Sequence, residues 1–147
     1  MLNEWDMSIP PPANWQDFEL LCWDIFSETL DLSEVKRYGR PGQAQQGVDI
    51  FGRSNKYHGW VGLQCKKKEV SPQTQLTENE IFQEVQKART FTPPIVHYTI
   101  LTTAPRDVKI QSFVAEISTR NQESGQFSVE IYFWDDIADL LRKNPDI

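Results

Sequence analysis

Gly47-Val48-Asp49-Ile50-Phe51-Gly52-Arg53, a polar link from Ser54 to Gly59, then Trp60-Val61-Gly62-Leu63-Gln64-Cys65-Lys66-Lys67: this stretch decides the fold. Two short runs rich in Val, Ile, Phe and Trp, joined by polar residues, predict a β-hairpin with strands from Val48 to Arg53 and from Trp60 to Lys67. Alternate residues of a strand share a face. Leu63 and Cys65 therefore point into the core, while Gln64 and Lys66 point outward together. Asp49, between Val48 and Ile50, takes the polar position of its own strand. If the two strands pair through the link, Asp49 faces Gln64 and Lys66 across the ladder. A carboxylate, an amide oxygen and an ammonium then surround one point.

Outward from the hairpin, the pattern changes period. Before it, Trp15, Phe18, Leu21, Cys22, Ile25 and Phe26 recur at helical spacing. Asn14 is a good N-cap for that helix, and Asp17 stands in the first turn, where the helix dipole favours an acid. The helix is expected to end near Leu30, followed by a short strand from Ser33 to Tyr38. The Gly- and Gln-rich residues from Gly39 to Gly47 predict a loop. After the hairpin, Thr77 and Glu80 have capping-box spacing at the head of a helix running to Arg89. A strand from Ile95 to Thr102, a helix from Arg106 to Thr119, a strand from Phe127 to Phe133 and a closing helix from Asp135 to Arg142 complete the reading. The order is α-β-β-β-α-β-α-β-α, an α/β fold with a mixed β-sheet flanked by helices on both faces. The division is a Pro-rich lead-in over residues 1–13 and one domain over 14–147.

The 147 residues are the length of one ordinary domain, and 39% hydrophobic with 24% charged residues is a globular composition rather than a disordered one. No apolar run reaches the roughly 18–20 residues that cross a bilayer, and Met1 to Pro12 lacks the basic and apolar regions of a secretory leader. A cytoplasmic protein with no membrane role is expected. Cys22 and Cys65 stand far apart in sequence, with no close Cys or His partner. A structural zinc site is not indicated, and both read as small buried hydrophobes.

The net charge is −6, yet between Lys36 and Lys68 eight basic residues meet a single acid, Asp49. That local balance of +7 leaves −13 on the rest of the chain. A basic segment on an acidic body has the charge distribution of a phosphate-binding face. Lysines guarding a strand edge are the alternative reading.

The Asp49, Gln64, Lys66 trio suits metal-assisted phosphodiester hydrolysis. Mg²⁺ takes hard oxygen ligands, usually one or two carboxylates with waters and substrate phosphate. Such an ion polarises the phosphate and acidifies a bound water, and a neighbouring lysine can steady that water or the charge of the transition state.

Gly47-Val48-Asp49-Ile50 followed by Gln64-Cys65-Lys66 resembles the D…(D/E/Q)XK signature of the PD-(D/E)XK restriction-endonuclease-like nucleases. The helix–hairpin–strand–helix–strand order is similar to the core of that fold, and the likeness runs from about residue 14 to 142. Glutamine in the second motif is similar to the Mrr-like branch. The Tyr38-Gly39-Arg40 and Gln-rich stretch, with Thr102-Thr103-Ala104 and then Asp107, resembles nuclease domains fused to sensor modules in bacterial anti-phage defence. The resemblance implies a Mg²⁺-dependent endodeoxyribonuclease, with Mn²⁺ able to substitute. Asp49, Gln64 and Lys66 would be catalytic, and Asp49 and Gln64 would hold metal together with Glu19 from the first helix. Arg40, Gln43, Gln46, Lys67 and Lys68 are the expected DNA contacts, on double-stranded DNA. A homo-oligomer and a fused sensor or NTPase domain are further partners it suggests. Two departures matter: Val48 stands where the motif has proline, and Gln64 removes one metal-binding charge. Glu19, or a main-chain carbonyl such as that of Cys65, would then complete the metal shell. A nucleic-acid-binding module without catalysis and a protein-interaction domain remain the alternatives.

Overall fold

The structure is a computed structural model and describes residues 9–39, 46–68 and 75–144. The chain runs α1 (Trp15–Thr29), β1 (Leu32–Arg37), β2 (Ile50–Ser54), β3 (Gly59–Lys66), α2 (Glu78–Ala88), β4 (Ile95–Thr102), α3 (Val108–Glu123), β5 (Ser128–Tyr132), α4 (Trp134–Lys143). That is the expected order. The strands form one five-stranded sheet in sequential order. β1, β2 and β3 are antiparallel neighbours, while β3–β4 and β4–β5 are parallel. The hairpin allows a short link between β2 and β3; each parallel step needs a helix to carry the chain back.

Local signals set the helix ends. The Asn14 side chain accepts the Asp17 N–H at 2.8 Å. Thr77 accepts the Glu80 N–H at 3.2 Å, but the second arm of the expected capping box is not made. The Glu80 carboxylate takes the Lys68 ammonium instead, because a full charge on a nearby lysine is a stronger partner than a neutral N–H. Asp107 caps α3 by accepting the Lys109 and Ile110 N–H groups. The helix runs to Glu123, one turn beyond the expected end.

The two faces of the sheet bury separate cores. Phe18, Cys22, Ile25 and Phe26 of α1 and Ile137 of α4 pack on Ile50, Val61, Leu63 and Cys65. Ile81 and Val85 of α2 and Ile110, Val114 and Ile117 of α3 pack with Val48, Tyr98 and Ile100 on the other side. Each such side chain contributes on the order of 1.5–3 kcal/mol by leaving water. β3 is therefore covered on both faces. On the face that alternates with Leu63 and Cys65, Lys66 meets Glu84 of α2, and Gln64 is buried rather than pointing to solvent as the alternation suggested. Among the described residues, no helix is long and apolar enough to cross a membrane.

Candidate active site

The hairpin register places Ile50 opposite Leu63. One step further, Asp49 stands just before β2 rather than within it. Val48 packs in the α2 core and Ile50 in the α1 core, so the face alternation breaks at Asp49. The chain turns there, and the side chain is drawn inward. Its N–H donates to the Leu63 carbonyl at 2.8 Å, and its Oδ2 accepts the Cys65 N–H at 2.8 Å. Asp49 is 5% exposed. Burial pushes its pKa up to about 6; the charges of Glu19 and Glu84 push the same way, and the Cys65 N–H and Lys66 oppose them. This is a carboxylate held in place by the backbone but short of positive charge.

Gln64 is next across the register. The residue is 9% exposed, and Oε1 is buried with no hydrogen-bond partner among the described residues. An unpartnered buried amide oxygen costs about 1–3 kcal/mol, so native proteins keep few of them without a reason.

Lys66 ends β3. Its Nζ lies 2.9 Å from Glu84 Oε1 on α2, with the lysine side chain 25% and the glutamate side chain 11% exposed. The backbone just after Lys66 is fastened to the residue that follows β4. The Thr103 N–H donates to the Lys66 carbonyl at 3.3 Å, and Thr103 Oγ1 accepts the Lys68 N–H at 2.7 Å. Thr103 is thus a clasp for the β3 exit. Asp107, grouped with it in the sequence, is a helix cap.

Glu19 is buried on α1, and its Oε1 accepts Arg37 Nε at 2.8 Å. Its charge reaches Asp49, but one of its oxygens is already committed to β1. Cys65 and Cys22 are free thiols buried between α1 and β3. A mutual hydrogen bond together with burial raises the Cys65 thiol well above the usual range, so it behaves as the small hydrophobe expected.

The candidate DNA contacts separate. Lys68 is not open: its Nζ lies 2.6 Å from Glu80 Oε2, with 17% of its side chain exposed. Lys67 makes no ion pair among the described residues and is half-buried. Gln46 is exposed, and its Oε1 accepts the Tyr38 hydroxyl at 2.9 Å. Arg40 and Gln43 lie outside the described residues. The sequence reading gives Glu80 only a capping role and gives Glu84 none. Their spacing of four on a helix, against Lys66 and Lys68 spaced by two on a strand, was the available signal, since both spacings put like charges on one face.

Among the described residues, no three His, Cys, Asp or Glu side chains converge as a metal cluster. The donor set nevertheless fits a hard divalent cation. It offers a charge-deficient carboxylate and an orphaned amide oxygen, on residues one step beyond the Ile50–Leu63 pair of the hairpin.

No protein-family model matches the chain, and no curated protein is significantly similar to it. Among solved structures it is similar to MspJI restriction endonuclease in complex with a 27-mer oligonucleotide, at 20% identity and a TM-score of 0.49. The match covers 88% of this chain and 28% of that one, so the chain spans little more than a quarter of its neighbour's length.

Proposed function

We propose that the chain is a Mg²⁺-dependent endonuclease that hydrolyses phosphodiester bonds of double-stranded DNA. The observation that carries this reading is the pairing of a buried, charge-deficient Asp49 with the partnerless Gln64 Oε1, and Lys66 on the same strand two residues on. A protein interior tolerates such a pair when a ligand completes it.

In this reading Asp49 and Gln64 hold the cation, with Glu19 available once its Arg37 partner shifts. The cation, when bound, polarises the phosphate and acidifies the attacking water. Water forms the new P–O bond, the bridging P–O bond breaks, and the leaving oxygen takes up a proton. Lys66 steadies the negative charge that builds on the phosphate oxygens. The Cys65 N–H fixes the Asp49 carboxylate, and Thr103 fixes the strand end that carries Lys66. Lys67 and Gln46 are the accessible candidates for DNA contact. An effector role in anti-phage defence, within a larger or oligomeric assembly, is the setting the resemblance suggests.

A second reading, a nucleic-acid-binding module without catalysis, draws on the lack of a three-ligand cluster among the described residues. Supercoiled plasmid separates the two. Nicking with Mg²⁺ or Mn²⁺ that stops in EDTA supports the nuclease. Binding without cleavage under every metal condition supports the module.

A further inference from the structure

We propose that Glu84 of α2 is a positioning residue of the site: its buried carboxylate holds the Lys66 ammonium at the end of β3. The inference rests on the reading of Lys66 as a functional group, and it adds a residue on a different element to that reading.

Glu84 sits on the side of α2 that faces the sheet, between Ile81 and Val85, which pack in the core. A leucine there would be cheaper to bury. A charged group so enclosed is retained only with a close partner, and Glu84 has one, Lys66 Nζ at 2.9 Å. Lys87 Nζ, at 3.7 Å from the same oxygen, is the more exposed and looser neighbour. Lysine carries its charge on a flexible four-carbon stem, so an unheld Lys66 would sample many positions.

The helix is also locked to the turn that leads into Asp49. At Gly47, whose φ is +75°, a Cβ would lie 2.6 Å from the Glu84 carbonyl oxygen and 3.2 Å from the Ala88 nitrogen. That close approach requires glycine. The Gly47 carbonyl in turn accepts the Tyr98 hydroxyl at 2.5 Å. The backbone of Glu84 touches the turn before Asp49, while its side chain grips Lys66. One residue therefore sets the spacing between the carboxylate and the ammonium. Glu80, one turn earlier, makes the parallel pair with Lys68, but its α2 position lies farther from the Gly47 turn. It serves as the control.

The test compares Glu84→Gln, Glu80→Gln, Lys66→Ala and the Lys66→Ala/Glu84→Gln double variant in the full chain. The readouts are single-turnover plasmid cleavage, DNA affinity and the ¹⁵N-detected signal of the Lys66 ammonium. The expected result is a loss of about 10- to 100-fold in cleavage rate for Glu84→Gln, with DNA affinity changed by less than about twofold. No further loss is expected in the Lys66→Ala background, and Glu80→Gln should stay near wild type. The slowly exchanging Lys66 ammonium signal should vanish in Glu84→Gln. An unchanged rate, a loss that persists in the Lys66→Ala background, or an unchanged ammonium signal would overturn the proposal. If the wild type cuts no DNA, the nuclease reading falls, yet the ammonium signal still decides whether Glu84 holds Lys66. If Glu84→Gln does not fold, the wild-type signal decides: a freely exchanging ammonium contradicts the proposal, and a protected one supports it.

Discussion

The sheet carries a polar cluster at each end, and the two ends treat their charges in opposite ways. Where β4 and β5 begin, His97 is almost fully buried. Its Nδ1 lies 2.6 Å from Ser128 Oγ, its Nε2 lies 3.3 Å from Glu130 Oε2, and Tyr57 stacks on its ring at 4.0 Å. The neighbouring His97 holds the Glu130 carboxyl below its ordinary range, with Tyr132 helping. At the other end, where β3 runs out, Asp49 is held above its ordinary range and Gln64 Oε1 has no partner among the described residues. In the first cluster the chain supplies a hydroxyl and a carboxylate at close range, though His97 Nε2 also completes no hydrogen bond among the described residues. The second is left short of positive charge, which is the condition of a site that expects a ligand.

The largest effect that could break this contrast is catalytic. Asp49→Asn or Lys66→Ala should lower plasmid cleavage by at least about 10³-fold, roughly 4 kcal/mol of transition-state stabilisation. His97→Ala should leave the rate per folded molecule within about twofold, since it stands at the far end of the sheet. Comparable losses from both ends would remove the distinction.

Stability should move in the reverse sense. A carboxyl with a folded pKa of about 6 and an ordinary value of 3.8 binds its proton more tightly in the folded state. Stability is therefore lost as pH rises from about 4 through 6, by up to about 3 kcal/mol. Asp49→Asn keeps an acceptor for the Cys65 N–H and removes the charge. It should raise the thermal midpoint at pH 7.5, with the gain vanishing below about pH 4. Glu130, held low, works the other way. Its contribution is present above its ordinary value of 4.5 and is lost as pH falls. Glu130→Gln should therefore destabilise at pH 7.5 and become silent in acid. Denaturation at both pH values reads all four outcomes, and a destabilised Asp49→Asn would mean its carboxylate is already compensated.

The smallest effect concerns the lysines beyond the site. Each phosphate contact contributes roughly 0.9 to the slope of log affinity against log salt. Lys68 is already paired with Glu80, so Lys68→Gln should change the slope by clearly less than that. Lys67→Gln should come nearer to it. Equal changes would indicate that DNA displaces Glu80 from Lys68.

Much of the architecture was legible in the sequence because hydrophobic period and turn chemistry act locally. All nine elements appear in the expected order, and the Asn14 cap forms as expected. The hairpin that brings Asp49 near the Gln64–Lys66 strand was legible from the two apolar runs and the polar link between them. Its surroundings were not. Alternation reports which residues share a face, not whether later elements cover that face, so the reading puts Gln64 in solvent although it is buried. The same blindness applies to charge. The basic run through Lys68 looked like an open phosphate surface, but Glu80 and Glu84, distant in sequence, fold over it. Asp49 also escaped the strand pattern, because its carboxylate turns back to the Cys65 N–H.

The most direct test of the account is calorimetric titration of Mn²⁺ into the wild-type chain and into Asp49→Asn at pH 7.5. A single saturable site is expected in the wild type, and no measurable binding in the variant. Equal binding by both chains, or none by the wild type, would contradict it.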